Sequence, residues 1–296
     1  AAASSYQIEG AAAQDGRGQS VWDVFCRTPG RIWQGHTGDV ACDHYNRYKE
    51  DVGLMKQIGL KAYRFSIAWP RVMPEGVGRV NEAGIGFYDK LVDELLAAGI
   101  APYATLFHWD YPYDLQLKGG WTHPDSPKWF ADYTKVVIDR LSDRVTDWMT
   151  LNEPQVFLQF GLGDGNNAPG MQLPMKEQLL ALHNSLLAHG LSVQTIRAHA
   201  KKPARVGWAP VCVTRMPADP KNPSDVKAAY AAMTGFEKKN LWNNTWYNDP
   251  IILGHYPEEG LAFYGADVPR AKAGDFETMK QPIDFIGINI YEGQPV

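Results

Sequence analysis

Thr150-Leu151-Asn152-Glu153-Pro154 follows a short run, Val145-Thr146-Asp147-Trp148-Met149, rich in β-branched and aromatic residues. Such a run reads as a strand. Pro154 disfavours helix at Glu153 and opens a new segment. Glu153 therefore stands where a strand gives way to a loop, which is where α/β folds place their chemistry. A carboxylate beside a carboxamide at such a point suits proton transfer to an oxygen-rich substrate. The structural alternative is that Glu153 caps the next helix and Asn152 makes a turn.

The segments around this stretch repeat one pattern. Over residues 45–58 the apolar residues Tyr45, Tyr48, Val52, Met55 and Ile58 recur at helical steps, with Asp43 as a candidate N-cap and Gly59 as the C′ residue. A strand over 60–68 follows, containing Arg64. Ile85, Tyr88, Val92 and Leu95 line a second helix that Gly99 closes, before a strand over 100–107 that runs into His108-Trp109-Asp110. Ser126, as N-cap, and Pro127 start a third helix with Phe130, Val137 and Leu141 inward, and it leads to the strand of Glu153. Further on, the pattern predicts a helix over 175–199, a strand over 205–213 with Pro210 at its edge or end, a helical region over 223–241, an aromatic segment over 242–256 and a strand over 283–290. Residues 15–39 read as a long loop, punctuated by Gly and Pro and packed by Trp22, Phe25 and Trp33.

Helix–Gly–strand units in tandem predict a parallel sheet with right-handed crossovers. An open doubly wound sheet and a closed (β/α)8 barrel share that pattern. No GxGxxG or GxxxxGK[ST] follows a strand, which favours the barrel. About six strands are legible where a barrel has eight.

Composition narrows the ligand. The 296 residues are 45% hydrophobic and 21% charged, with a net charge of -4, so there is no basic footprint for nucleic acid. Ten Trp and fourteen Tyr offer stacking surfaces for sugars or other flat ligands. Cys26, Cys42 and Cys212 are widely spaced and form no CxxC, which argues against a disulfide framework or zinc knuckle and predicts a reducing, cytoplasmic compartment. No apolar run is long enough to span a membrane and no secretory leader is legible, so no membrane association is expected. No HExxH-like cluster supports a metal.

In a barrel the C-terminal strand ends share one mouth. Here they carry Gln7, Arg64, His108, Trp109, Asn152, Glu153, Asn289 and Tyr291. Amides that both donate and accept suit a neutral, polyhydroxylated ligand. Arg64, inside a strand, calls for an anionic partner. Singly, each also fits a structural role: His108 as a satisfied core histidine, Gln7 as a structural hydrogen-bonder, Trp109 and Tyr291 as packing.

Five pieces then carry a resemblance: residues 5–10 (Ser-Tyr-Gln-Ile-Glu-Gly), 63–71 (Tyr-Arg-Phe-Ser-Ile-Ala-Trp-Pro-Arg), 106–110 (Leu-Phe-His-Trp-Asp), 150–154 and 284–291 (Asp-Phe-Ile-Gly-Ile-Asn-Ile-Tyr). In this order they resemble glycoside hydrolase family 1, the β-glucosidase family. The resemblance implies a (β/α)8 TIM barrel and a retaining β-glycosidase, most simply a β-glucosidase, that needs no cofactor or metal and takes a small β-glycoside or oligosaccharide. By the same resemblance Glu153 is the general acid/base, and Gln7, His108, Trp109 and Asn152 bind sugar hydroxyls. Arg64 and Tyr291 support the nucleophile and Asn289 lines the site. A glutamate, where myrosinases have glutamine, implies ordinary O-glycosides.

Two departures stand out. Asn167 occupies the place before Ala168-Pro169-Gly170 where the family commonly has histidine, a difference of loop packing. The family's nucleophile lies in a Thr-Glu-Asn-Gly segment on the seventh strand, and no such segment occurs here. The expectation is a single barrel domain over 1–296 with the seventh and eighth strand units absent, and a nucleophile beyond Val296. Without that second carboxylate, Glu153 is expected to lose the negative neighbour that holds its pKa up, and Arg64 to lower it further. The alternatives are a carbohydrate-binding protein on a catalytically dead barrel, or an inverting hydrolase with a more distant second carboxylate. Sugar and aglycone preference and oligomeric state are not legible.

Overall fold

Six short strands share one sheet in the computed structural model, which describes residues 1–296. They are β1 (Ala2–Ala3), β2 (Ala62–Ser66), β3 (Ala101–Phe107), β4 (Asp147–Asn152), β5 (Arg205–Ala209) and β7 (Phe285–Ile286). Their spatial order is their chain order, and every pairing is parallel. In such a sheet all C-terminal strand ends point one way, so residues that follow the strands meet on one rim. Ser66 lies opposite Thr105, Phe107 opposite Leu151, and Asn152 opposite Ala209. A second, two-stranded pairing joins β6 (Arg215–Met216) to β8 (Gln294–Pro295).

The crossover helices form where apolar spacing predicts them. His44–Gln57, Glu82–Ala97, Ser126–Leu141 and Met175–His199 each precede a strand. Gly59 (φ 80°) and Gly99 (φ 74°) stand one residue beyond the caps of the first two, in the left-handed region that turns the chain from helix to strand. Ile85, Tyr88, Val92 and Leu95 are all buried, as are Phe130, Val137 and Leu141. Between helices and sheet lie large buried rings: Trp69 stacks on Tyr133 with centroids 5.1 Å apart, and Trp148 and Trp208 are fully buried.

Several expectations need correction. Residues 15–39 are not one loop, because Val21–Arg27 is a helix whose N-cap Ser20 forms a reciprocal capping box with Asp23. Trp33 does not pack that segment but is 76% exposed, and Ile58 is likewise exposed at its helix end. Asp125, not Ser126, is the N-cap of the third crossover helix. The helix expected over 223–241 ends at Thr234, and a further helix, Thr245–Ile252, lies in the aromatic segment. The strands over 205–213 and 283–290 contract to five and two residues, although an isolated bridge joins Val211 to Asn289. Pro210 stands just past the end of β5, where its missing N–H interrupts no ladder.

Candidate active site

Asn152, buried at the end of β4, gathers the site. Its Oδ1 accepts from Arg64 Nη2 at 2.5 Å and from Asn289 Nδ2 at 3.2 Å. Arg64 can only donate, so the amide oxygen must face it and the amide nitrogen must face the other way. That nitrogen lies 3.2 Å from His108 Nε2. The imidazole therefore accepts at Nε2 and is neutral. Burial, together with the positive charge of Arg64, lowers its pKa to about 3. Trp109 closes the group by donating its indole N–H to the Asn152 carbonyl at 2.9 Å.

Arg64 leaves β2 half-buried. Its other contacts are Thr105 Oγ1 at 2.9 Å and Asn289 Oδ1 at 3.5 Å, so all its acceptors are neutral oxygens. The anionic partner expected for it is absent: Arg64 forms no ion pair with any of the 296 residues. Burial depresses its pKa, and the charge of Glu153 offsets this in part.

Glu153 is 2% exposed and adopts left-handed backbone, φ 45° and ψ 64°. Trp109, at the end of β3, is also left-handed with φ 77°. Non-glycine residues held so cost about 1–3 kcal/mol each and persist where the surroundings fix them. The Glu153 N–H is bound to the Ala209 carbonyl at 2.7 Å, and its Oε1 accepts from Tyr291 Oη at 3.1 Å. Burial raises the Glu153 pKa, against the opposing effects of the Tyr291 hydrogen bond, the Arg64 charge and Asn152. Arg64 lowers it as expected, while desolvation outweighs these donors and keeps the pKa raised without a second acid.

Gln7, exposed on the short helix Ser5–Ile8, His108 and Trp109 line a cavity of about 340 Å³ with Tyr6, Trp22 and His36. A larger cavity, about 590 Å³, has Phe160 and Trp242 in its lining and contains none of the strand-end residues. The smaller one is the better candidate, because it adjoins the His108–Asn152–Arg64 group. No cluster of three His, Cys, Asp or Glu side chains could hold a metal ion.

The model of glycosyl hydrolase family 1 matches residues 1–296. The chain belongs to that family. A 1,4-β-D-glucan glucohydrolase of Thermotoga neapolitana is 44% identical over 295 residues, 100% of this chain and 67% of that protein. β-Glucosidase A of Thermotoga maritima is 43% identical over 295 residues, 100% of this chain and 64% of that protein. The solved structure of a Thermotoga maritima β-glucosidase in complex with deoxynojirimycin superposes with TM-score 0.90 at 41% identity, covering 99% of this chain and 64% of that one. The chain thus spans about two thirds of the length of these relatives, and family 1 proteins are (β/α)8 barrels.

In this family 1 chain one hydrogen-bonded group joins Arg64, His108, Trp109, Asn152 and Asn289, and Tyr291 binds Glu153. Gln7 makes no side-chain hydrogen bond to them and meets His108 and Trp109 only across the cavity. Tyr291 is 80% exposed apart from its hydroxyl contact. Thr105, which orients Arg64 through Nε, was missed. Its signal was a polar residue within the otherwise apolar run 104–107, on the strand next to that of Arg64.

Proposed function

We propose that this chain carries the acid/base side of a retaining β-glycosidase that hydrolyses terminal β-D-glucosides. The observation that carries the reading is Glu153: a buried carboxyl with a raised pKa at a strand end, ringed by a phenol, a carboxamide and a guanidinium. In this reaction Glu153 gives its proton to the leaving oxygen while a second carboxylate attacks the anomeric carbon. Water then hydrolyses the glycosyl ester as Glu153 takes its proton. The names of the Thermotoga relatives support the glucoside assignment.

Such a mechanism needs two carboxyls about 5–5.5 Å apart. The neighbours that act on the Glu153 charge are Tyr291, Arg64 and Asn152, and none is a carboxylate. We therefore assign the nucleophile to a segment outside these 296 residues. With it go the seventh and eighth strand units of a single barrel domain. Arg64, with no acid of its own, is the cation we assign to that nucleophile, and Tyr291 is the hydroxyl that joins the two sides. His108, being neutral, serves as a hydrogen-bonding partner for a sugar hydroxyl and not as an acid; Gln7, Asn152, Asn289 and the face of Trp109 complete that wall. Cys26, Cys42 and Cys212 are all unpaired, which supports a reducing, cytoplasmic compartment.

The test is turnover of aryl and alkyl β-glucosides by the full chain, that is residues 1–296 together with the segment that carries the nucleophile, and by its Glu153→Ala variant. Protonation by a positioned acid contributes about 10²–10⁴-fold, so the poor alkyl leaving group should lose that much and an activated aryl group far less. Equal losses would overturn the assignment. Residues 1–296 by themselves should turn over neither substrate until the second segment is added. Activity that stays with the 296-residue species would remove the need for an outside nucleophile.

A further inference from the structure

Ser5, Ser66 and Asp110 form a buried chain that the proposed mechanism does not use. The Ser5 N–H donates to Ser66 Oγ at 2.7 Å, Ser66 Oγ donates to Ser5 Oγ at 3.0 Å, and Ser5 Oγ donates to Asp110 Oδ2 at 2.6 Å. All three residues are buried, Asp110 completely. An amide can only donate and each hydroxyl has one proton, so the chain has one direction and must end on an acceptor. A carboxylate supplies it.

The placement of the three is what gives the chain a role. Ser5 precedes Gln7 by two residues, Ser66 follows Arg64 by two, and Asp110 follows His108 by two. They come from three segments: the helix Ser5–Ile8, the strand β2 and the turn after β3. Trp109, between His108 and Asp110, is the residue in left-handed backbone. A strained turn of that kind holds only where its flanks are anchored, and Asp110 is one flank.

We infer that Asp110, acting through Ser5 and Ser66, is a positioning residue that sets Gln7, Arg64 and His108 at their mutual spacing. The inference rests on the reading of those residues as the sugar-binding wall. Among charged groups, Glu9 and Arg17 act on Asp110. Burial raises its pKa to about 7, the Ser5 hydrogen bond opposes this, Glu9 adds to it and Arg17 reduces it. Its Oδ1 has no partner, so the Ser5 hydroxyl is the one side-chain anchor of that carboxyl.

The experiment compares Asp110→Ala and Asp110→Asn in the full chain, below the melting temperature of each. A misplacement of about 1 Å costs about 10²-fold, so Asp110→Ala should lower kcat/KM on β-glucosides by that much. Asp110→Asn, whose amide oxygen still accepts from Ser5, should stay within about fivefold, since a group of similar shape keeps the bond. In a Gln7→Ala/His108→Ala background Asp110→Ala should cost clearly less than in the unsubstituted chain, because two of the three groups it aligns are gone. The same loss in both backgrounds, or an Asn variant no better than Ala, would overturn the inference in favour of plain packing. Amide exchange gives a readout that needs no activity. Peptides covering residues 4–8 and 107–111 should exchange faster in Asp110→Ala while Met175–His199 does not change; unchanged exchange at 4–8 would also overturn it. If the unsubstituted full chain, with the nucleophile segment present, turns over no β-glucoside, the functional reading fails, and the exchange result alone decides the positioning. Should Asp110→Ala not fold, Ser5→Ala, which removes only the linking hydroxyl, is read in its place.

Discussion

Arg64 and Arg71 leave the same strand-and-turn segment seven residues apart and end in opposite environments. Arg71 is 1% exposed and closed on itself. Its Nε donates to Glu9 Oε2 at 2.9 Å, its Nη2 to the Gly10 carbonyl at 3.0 Å, and its guanidinium lies 4.3 Å from the centre of the Tyr45 ring. Glu9 in turn accepts from Tyr88 at 2.7 Å. Burial works against the Arg71 charge, but Glu9, Tyr88 and Tyr45 together outweigh it and the pKa lies above the ordinary value. Arg64 has no acid and donates to Asn152, Thr105 and Asn289. Its pKa lies below the ordinary value, chiefly through burial. The first arginine holds two segments together. The second keeps a positive charge available beside a cavity, which is a poor way to stabilise a fold and a useful way to bind a developing or bound anion.

The largest expected effect is on the closed pair. Glu9→Ala leaves the Arg71 charge buried without an acid, which costs about 3–5 kcal/mol of stability. Denaturant unfolding measures it, and the rate per folded molecule should hold. A loss below about 1 kcal/mol would mean that Arg71 is no more a structural charge than Arg64 is.

Arg64→Ala should do the reverse. Removing an unpaired, half-buried cation leaves the melting temperature unchanged or raised, while kcat/KM on a β-glucoside in the full chain falls by about 10²–10³-fold, the usual cost of an electrostatic stabiliser. Arg64→Lys should not restore the rate, because one ammonium cannot span the three acceptors that the guanidinium fork reaches. A large fall in stability with the rate retained would move Arg64 into the structural class. His108 reports on the same charge at smaller scale. With its pKa near 3 it should show no imidazole titration by NMR between about pH 5 and 8. Burial is the main cause and the Arg64 charge adds to it, so Arg64→Ala should raise the His108 pKa; a titration already visible near pH 6.5 in the unsubstituted chain would contradict the neutral ring.

These contrasts were partly legible in the sequence, and the limits have physical causes. Helical spacing and the helix-ending glycines Gly59 and Gly99 were enough for the repeating units, because burial of one face and positive φ are local demands. Asn152, His108 and Arg64 were legible as polar residues at or inside apolar strands. That Arg64 meets neutral oxygens was not, since pairing depends on which segments the fold brings together. Arg71 lay in the same quoted run, and nothing local marks which arginine finds the acid at position 9. Asp110 is legible only as the acid that follows His108-Trp109 at a strand end; its burial beneath the rim is not. The helix Val21–Arg27 reads as loop because glycines and prolines flank it, although its Ser20-x-x-Asp23 capping signal is present. The helix Thr245–Ile252 carries an internal Pro250, which hides a helix from propensity.

The smallest expected effect concerns Tyr291, the hydroxyl that touches the carboxyl itself. Burial raises the Glu153 pKa and the Tyr291 hydrogen bond to Oε1 lowers it. Tyr291→Phe removes only the second influence, so the pKa rises further. One hydrogen bond contributes about 0.5–1.5 kcal/mol net, so the rise is correspondingly small. Glu153 must be protonated to act as an acid. The alkaline limb of the kcat/KM profile should therefore move to higher pH. Stability gives an independent check. Because the folded pKa lies above the unfolded one, the folded state keeps a proton that the unfolded chain has released. The contribution of Glu153 is thus fully present below the ordinary glutamate pKa and is lost as pH rises through the folded value. Tyr291→Phe should extend that loss to higher pH. An alkaline limb that moves to lower pH would mean that Tyr291 stabilises the protonated form of Glu153, and the phenol would then belong with the anion that Arg64 awaits.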